Sequence, residues 1–213
     1  DGLVDNGDGV DLNRNFDAHW GYDDDGSSPV PGSETYRGAS PASEPETAAL
    51  QGLLGRIDFA FTVSWHSVAE LILYPLGWQT QTPSADDPVF RAIAGTPGRS
   101  AIEGFRPVLS ADLYPTNGET CDYAYGVGSL CLTPELSDQG SGRRFEFPDD
   151  EGLVEAEFQR VLPFAMDVAL SAADPSRPVS HLGNTVEPFY LDPFPVSYGD
   201  PQTVHVNALR RLG

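Results

Sequence analysis

Between residues 57 and 66 the chain alternates strictly: Ile57, Phe59, Phe61, Val63 and Trp65 interleave with Asp58, Ala60, Thr62, Ser64 and His66. Successive side chains of a strand point to opposite faces, so this run predicts a strand with one face in an apolar core. The same period puts His66 on the less apolar face, at the strand's end. Leu71 to Tyr74 reads as a second, short strand stopped by Pro75. Ser129 to Leu136 reads as a third, with Leu130 and Leu132 facing one way and Cys131, Thr133 and Glu135 the other. Helical spacing lies between these runs. Leu50, Leu53, Leu54 and Ile57 follow Ser43-Glu44-Pro45-Glu46, which has the form of a capping box, and Gly55 supplies a stop. Residues 86–95 carry Val89, Phe90 and Ile93 ahead of Gly95, and residues 151–173 predict a long helix broken near Pro163. Residues 1–42 and 107–128 read as loops. Strands alternating with helices predict an α/β fold, a mixed and largely parallel twisted sheet with helices on both faces.

After Asp174 the pattern changes. Pro175, Pro178, Pro188, Pro193, Pro195 and Pro201 punctuate short β-prone runs such as Thr203-Val204-His205-Val206. We expect one domain over residues 1–173, and a linker with the start of a β-rich accessory domain over 174–213. The opening Asp1-Gly2-Leu3 reads as the middle of a longer sequence.

The formal net charge is −20, and all 12 basic residues are arginine. Such a surface repels nucleic acid and anionic membranes, and no apolar run reaches the length of a membrane span. The balance fits a secreted protein or one from a salty habitat; genomic base composition accounts for the missing lysines equally well. Cys121 and Cys131 are too few for a disulfide scaffold, and either form one bridge or sit as two small buried apolar groups.

Four places carry residues suited to chemistry. In Gly9-Val10-Asp11-Leu12-Asn13-Arg14-Asn15-Phe16, Asn13 stands beside Arg14 in an acidic, turn-rich stretch. A guanidinium offers a rigid donor fork for a carboxylate, and a neighbouring amide adds a donor without charge. His66 and Glu135 each end a strand on its polar face, where sites collect in α/β sheets. A single histidine or glutamate so placed is ordinarily structural or solvated. Tyr114 sits in Leu113-Tyr114-Pro115-Thr116-Asn117-Gly118, a turn suited to a mobile binding group.

Taken together, and in order, these segments resemble the zinc carboxypeptidases of the carboxypeptidase A and carboxypeptidase T kind. The match runs over residues 9 to about 172 through Gly9 to Phe16, Ser33 to Gly38 with Ser43 to Glu46, His66-Ser67 with Leu73-Tyr74-Pro75, Tyr114 to Asp122, and Glu135. The resemblance implies an exopeptidase that removes C-terminal amino acids from peptides and proteins. It implies His66 as a zinc ligand, Glu135 as the general base toward a zinc-bound water, and Asn13, Arg14 and Tyr114 as the hold on the substrate's terminal carboxylate. Asn117 to Asp122 resembles the floor of the side-chain pocket. There Glu119 is expected to accept basic side chains and Cys121 to leave an apolar wall, giving mixed basic and hydrophobic specificity.

One departure is large. The family's other two zinc ligands belong to a His-x-x-Glu motif before the Asn-Arg pair, as does its oxyanion-stabilising arginine. His19, His181 and His205 do not supply that motif, since Tyr22, Asn184 and Ala208 stand three residues on. The resemblance therefore describes the carboxyl-terminal part of a catalytic domain, expected to be inactive alone, with two zinc ligands upstream of residue 1. The rival expectation is a non-catalytic pseudo-peptidase that binds C-terminal carboxylates or a surface glycan. The acidic stretches Asp5 to Asp11 and Asp23-Asp24-Asp25 raise structural calcium, but lack EF-hand spacing; a solvated acidic loop is the expectation.

Overall fold

Leu130–Leu136 is the strand on which the rest of the molecule is hung. The computed structural model describes residues 9–137 and 150–183. In chain order its elements are helix α1 (Pro45–Leu54), strands β1 (Phe61–Val63), β2 (His66–Ser67) and β3 (Leu71–Tyr74), and helix α2 (Asp87–Ala94). Strands β4 (Gly95–Thr96), β5 (Arg99–Ser100) and β6 (Arg106–Leu109) follow, then helices α3 (Ser110–Leu113) and α4 (Thr120–Gly126), strand β7 (Leu130–Leu136) and helix α5 (Glu151–Ser171). The mixed sheet runs β1–β7–β3–β6, with β2 also on β7; only the β3–β7 pairing is antiparallel.

The alternating run from Ile57 is not one strand. β1 and β2 pair with β7 in one constant register, Phe61 opposite Leu130 and His66 opposite Glu135. Ser64 and Trp65, between them, fall opposite Thr133 and Pro134. Proline has no amide hydrogen to donate, so the ladder is interrupted there. Residues 57–60 are spent leaving α1, whose last turn continues through Ile57 N–H to Leu53 O.

Helices cover both faces, as expected. On one face Ile72, Leu130 and Leu132 meet Val89, Phe90 and Ile93 of α2 and Val161, Phe164 and Val168 of α5. On the other, Cys131 meets Leu54 of α1 and Cys121 and Ala124 of α4. The outward side of α5 is apolar too: Phe158, Met166 and Leu170 are about half exposed.

Three local expectations are corrected and one element is added. The Ser43/Glu46 capping box does not form; the cap of α1 is Glu44, whose N–H donates to Asn15 Oδ1 at 3.2 Å. Ser43 Oγ instead donates to Glu44 Oε1 and accepts from Asn15 Nδ2. A fully buried amide from elsewhere in the chain has displaced the local cap. Second, α5 runs unbroken through Pro163. Both Pro163 and Gln159, whose carbonyl it leaves without an intrahelical donor, are exposed, so water can take that bond. Third, residues 107–128 hold most of β6 together with α3 and α4. β6 is an edge strand, which tolerates Pro107. The added element is a small hairpin of β4 and β5 across Pro97-Gly98 that the pattern does not announce.

Residues 174–183 fold back on α5. Ser171 Oγ donates to Val179 O, and the His181 ring meets the buried Asp167 carboxylate. The expected β-rich stretch lies outside the described residues.

Candidate active site

Because β7 lies between β2 and β3, Glu135 is the cross-strand partner of both His66 and Leu71. Two residues 69 positions apart in sequence thus share one end of the sheet and one face. His66 Nε2 lies 3.1 Å from Ser64 Oγ. Burial, reinforced by the charge of Arg14 and opposed by Asp11, holds the imidazole below its usual pKa. It is therefore neutral, with a lone pair to offer. Burial, then the negative charge of Glu119, raises the Glu135 carboxyl. A carboxylate so raised is a better proton acceptor.

Arg14 arrives from the opposite side on a 3-10 turn, Leu12–Arg14, capped by Asp11 Oδ1 accepting the Asn13 N–H at 3.0 Å. Its Nη1 donates to Asn13 O at 2.8 Å. The Arg14 side chain is 6% exposed, yet Nε has no hydrogen-bond partner and Asp11 is no nearer than 4.0 Å. A buried guanidinium N–H left open costs free energy unless a ligand takes it. Asn13 is oriented by α4: its Oδ1 accepts both the Thr120 N–H, at 3.0 Å, and the Thr120 hydroxyl, at 2.8 Å. That leaves the Asn13 amino group as the free end, beside Arg14. The Tyr114 ring, about half exposed, lies 5.9 Å from the Arg14 guanidinium.

Glu119 stands at the N-terminus of α4 and is buried. One oxygen, Oε2, accepts from Ser110 Oγ at 3.4 Å, and Oε1 has no partner. Burial raises its pKa, opposed by the nearby Thr116 hydroxyl, Arg14 and Ser110. Asp122, one turn along, accepts the Gly77 N–H on both carboxylate oxygens, at 3.0 and 3.1 Å. Burial and the Glu119 charge push it up to about 8. A Cβ at Gly77 would collide with Glu119 Oε1, so only glycine lets the bend after β3 approach the acid. Cys121 and Cys131 are bridged, tying α4 to β7.

These groups meet in one cavity of about 40 Å³, lined by Asn13, Arg14, His66, Tyr114, Glu119, Cys121 and Glu135. All seven residues singled out in the sequence are thus brought together. Thr116, Ser110 and Thr133 also line it. Their residue types carry no signal of their own, and only the fold finds them. Asp122 was visible as the end of the Asn117 to Asp122 stretch, but nothing there marks it as buried.

Residues 4–158 match the family profile described as zinc carboxypeptidase. The chain belongs to the zinc carboxypeptidase family. It is 36% identical over 138 residues to carboxypeptidase A5 of Macaca fascicularis, covering 62% of this chain and 31% of that protein. It is 36% identical over 160 residues to metallocarboxypeptidase A of Trichophyton tonsurans, covering 67% and 36%. Among solved structures, thrombin-activatable fibrinolysis inhibitor superposes with a TM-score of 0.66 at 27% identity, over 77% of this chain and 42% of that one. Carboxypeptidase A from Helicoverpa armigera shares the fold, with a TM-score of 0.62 at 24% identity over 80% of this chain and 44% of that one. The chain spans about a third of the length of the relatives it matches.

The zinc carboxypeptidase family implies zinc, and catalytic zinc takes three protein ligands. Among the described residues no group of three or more His, Cys, Asp or Glu side chains is placed to hold a metal ion. His66 is a suitable neutral donor, but these residues by themselves do not make the site. Calcium finds no support either. Asp23 Oδ1 accepts the N–H groups of Asp25 and Gly26 and the Asn117 amide, so it closes a turn. Those bonds hold its carboxyl below the usual range. Asp5 and Asp8 lie outside the described residues.

Proposed function

We propose that the protein is an exopeptidase that removes C-terminal residues from peptides and proteins, zinc-dependent and secreted, accepting basic as well as apolar side chains. One observation carries the reading. Two buried polar atoms, Arg14 Nε and Glu119 Oε1, have no hydrogen-bond partner, and both residues line the cavity that His66 and Glu135 also line. The ligand that satisfies both has a carboxylate and, further along, a cation: a peptide ending in Arg or Lys.

In this reading the terminal carboxylate lies on Arg14 and the Asn13 amino group, and Tyr114 closes over it and excludes water. Glu135, poised by burial, takes the proton of the attacking water and passes it to the leaving amine. Zinc enters through the family, with His66 as one ligand and the others from outside the described residues. The Cys121–Cys131 bridge supplies an apolar wall for uncharged side chains, and is consistent with an oxidising compartment. Among the described residues no helix is long and apolar enough to cross a membrane. The pairing of His66 with Glu135 favours catalysis over simple capture of C-termini, which needs neither.

Replacing Glu119 with Ala in the zinc-loaded enzyme tests the specificity. Turnover of peptides ending in Arg should fall about 10- to 100-fold, the worth of a charge-assisted hydrogen bond, with little change for peptides ending in Phe. Equal losses on both would sink the assignment.

A further inference from the structure

We infer that Arg160, on α5 and outside the cavity, is a positioning residue that holds the ends of β2 and β7 in the register His66 and Glu135 need. The inference rests on the exopeptidase reading for its kinetic consequence, and on geometry alone for its structural one.

Arg160 is a four-way junction. Its Nη1 and Nη2 both donate to Glu70 Oε1 at 3.1 Å. Nη1 also donates to Glu157 Oε2 at 3.3 Å, and Nε to Glu103 O at 2.6 Å. The guanidinium lies 4.7 Å from the Phe105 ring centroid. An added Cβ at Gly104, where φ is +81°, would collide with Arg160 Nη2, so the loop is shaped to receive this side chain.

What hangs from the junction matters more than its energy, because Glu70 is 47% exposed and an ion pair of that kind is weak. Glu157 is buried, and its Oε1 accepts the Ser137 N–H at 3.0 Å, two residues beyond Glu135. Glu70 lies in the connection between β2 and β3, four residues beyond His66, in the left-handed region at φ 52°. Its carbonyl accepts the Arg106 N–H at 3.0 Å, which sets the start of the β3–β6 pairing. The Ala69 N–H donates to Leu136 O at 3.3 Å. One guanidinium therefore ties the segment after the histidine to the segment after the glutamate. A fork of fixed donors holds such geometry better than a point charge.

The first measurement is kinetic, on the zinc-loaded enzyme with a blocked dipeptide ending in Arg, normalised to folded protein. Arg160→Met should lower kcat at least about tenfold, since misplacing a reacting group by about 1 Å can cost about 100-fold. KM should stay within about twofold, because Arg14, Asn13 and Glu119 are held by other contacts. Arg160→Lys should recover most of the loss. The second measurement needs no activity: in the metal-free 213-residue chain, Arg160→Met should shift the His66 ring-proton NMR signal and speed amide exchange at Ser137, and Arg160→Lys should restore both. If Arg160→Met does not fold, Glu70→Gln replaces it, with a smaller loss of kcat and the same signature. Wild-type kcat in a folded variant, a rise in KM alone, or an unmoved His66 signal with unchanged Ser137 exchange would each overturn the inference. An inactive wild-type enzyme defeats the exopeptidase reading instead, and the NMR arm still decides this one.

Discussion

The two faces of the sheet are built to different ends. On the face under α2 and α5, Ile72, Phe90, Ile93, Leu132 and Phe164 are wholly buried, with aromatic contacts such as Tyr74 on Phe90 at 5.4 Å. On the other face the apolar cluster is small, essentially Leu54, Ala124 and the Cys121–Cys131 bridge. Around it Arg14, Glu119 and Asp122 are buried. Burying charges is costly, and orphaned charged atoms more so. The face under α2 and α5 buries acids too, but Asp86, Glu157 and Asp167 each have a partner there. The face that leaves Arg14 Nε and Glu119 Oε1 without a hydrogen bond is shaped by what it binds, and the covalent bridge offsets some of the lost packing.

The sharpest way to break this contrast is to change one residue on each face. Glu135→Gln should cut kcat by about 10²- to 10⁴-fold in the active enzyme with the melting temperature nearly unchanged, the usual range for loss of a general base. Phe164→Ala should do the reverse. It should cost about 3–5 kcal/mol of stability by denaturant titration, with kcat per folded molecule preserved. Reducing the disulfide, or Cys121→Ser, should cost about 2–3 kcal/mol for a bridge closing so short a loop, read as a lower denaturant midpoint. A further test sharpens the comparison through pH. Asp122 titrates at about 8 when folded, against an ordinary aspartate pKa of 3.8. Between those values the folded chain holds a proton that the unfolded chain has released, so stability falls as pH rises through the window. Asp122→Asn should flatten that slope between pH 5 and 8; an unchanged slope would mean that the buried acids ionise freely.

Legibility in the sequence followed the distance over which each feature is decided. The faces of β7 and helix α2 with its glycine stop could be read, because side-chain period and a positive-φ cap are local. The seven candidate site residues could be picked out because their types and order form a pattern, although nothing local shows them touching. The capping box failed because Asn15, 29 positions from the Glu44 amide, offered a better acceptor. Helix α4 passed as loop because its Thr, Cys, Asp, Tyr and Gly have little helical preference, and its first turn is completed by Asn13 from 107 positions away.

By itself the sequence determined that this is an α/β chain, which strand faces carry side chains for a core and which for a site, and which residues are suited to gripping a carboxylate. Periodicity and side-chain chemistry suffice for that. Only the tertiary structure decided that β1 and β2 part opposite Pro134, that two acids lie buried together, that the cysteines are bridged, and that Arg160 links the flanks of His66 and Glu135. Each depends on burial or on partners far apart in sequence. Desolvation and hydrogen bonding across such separations leave no mark in any local window of residues.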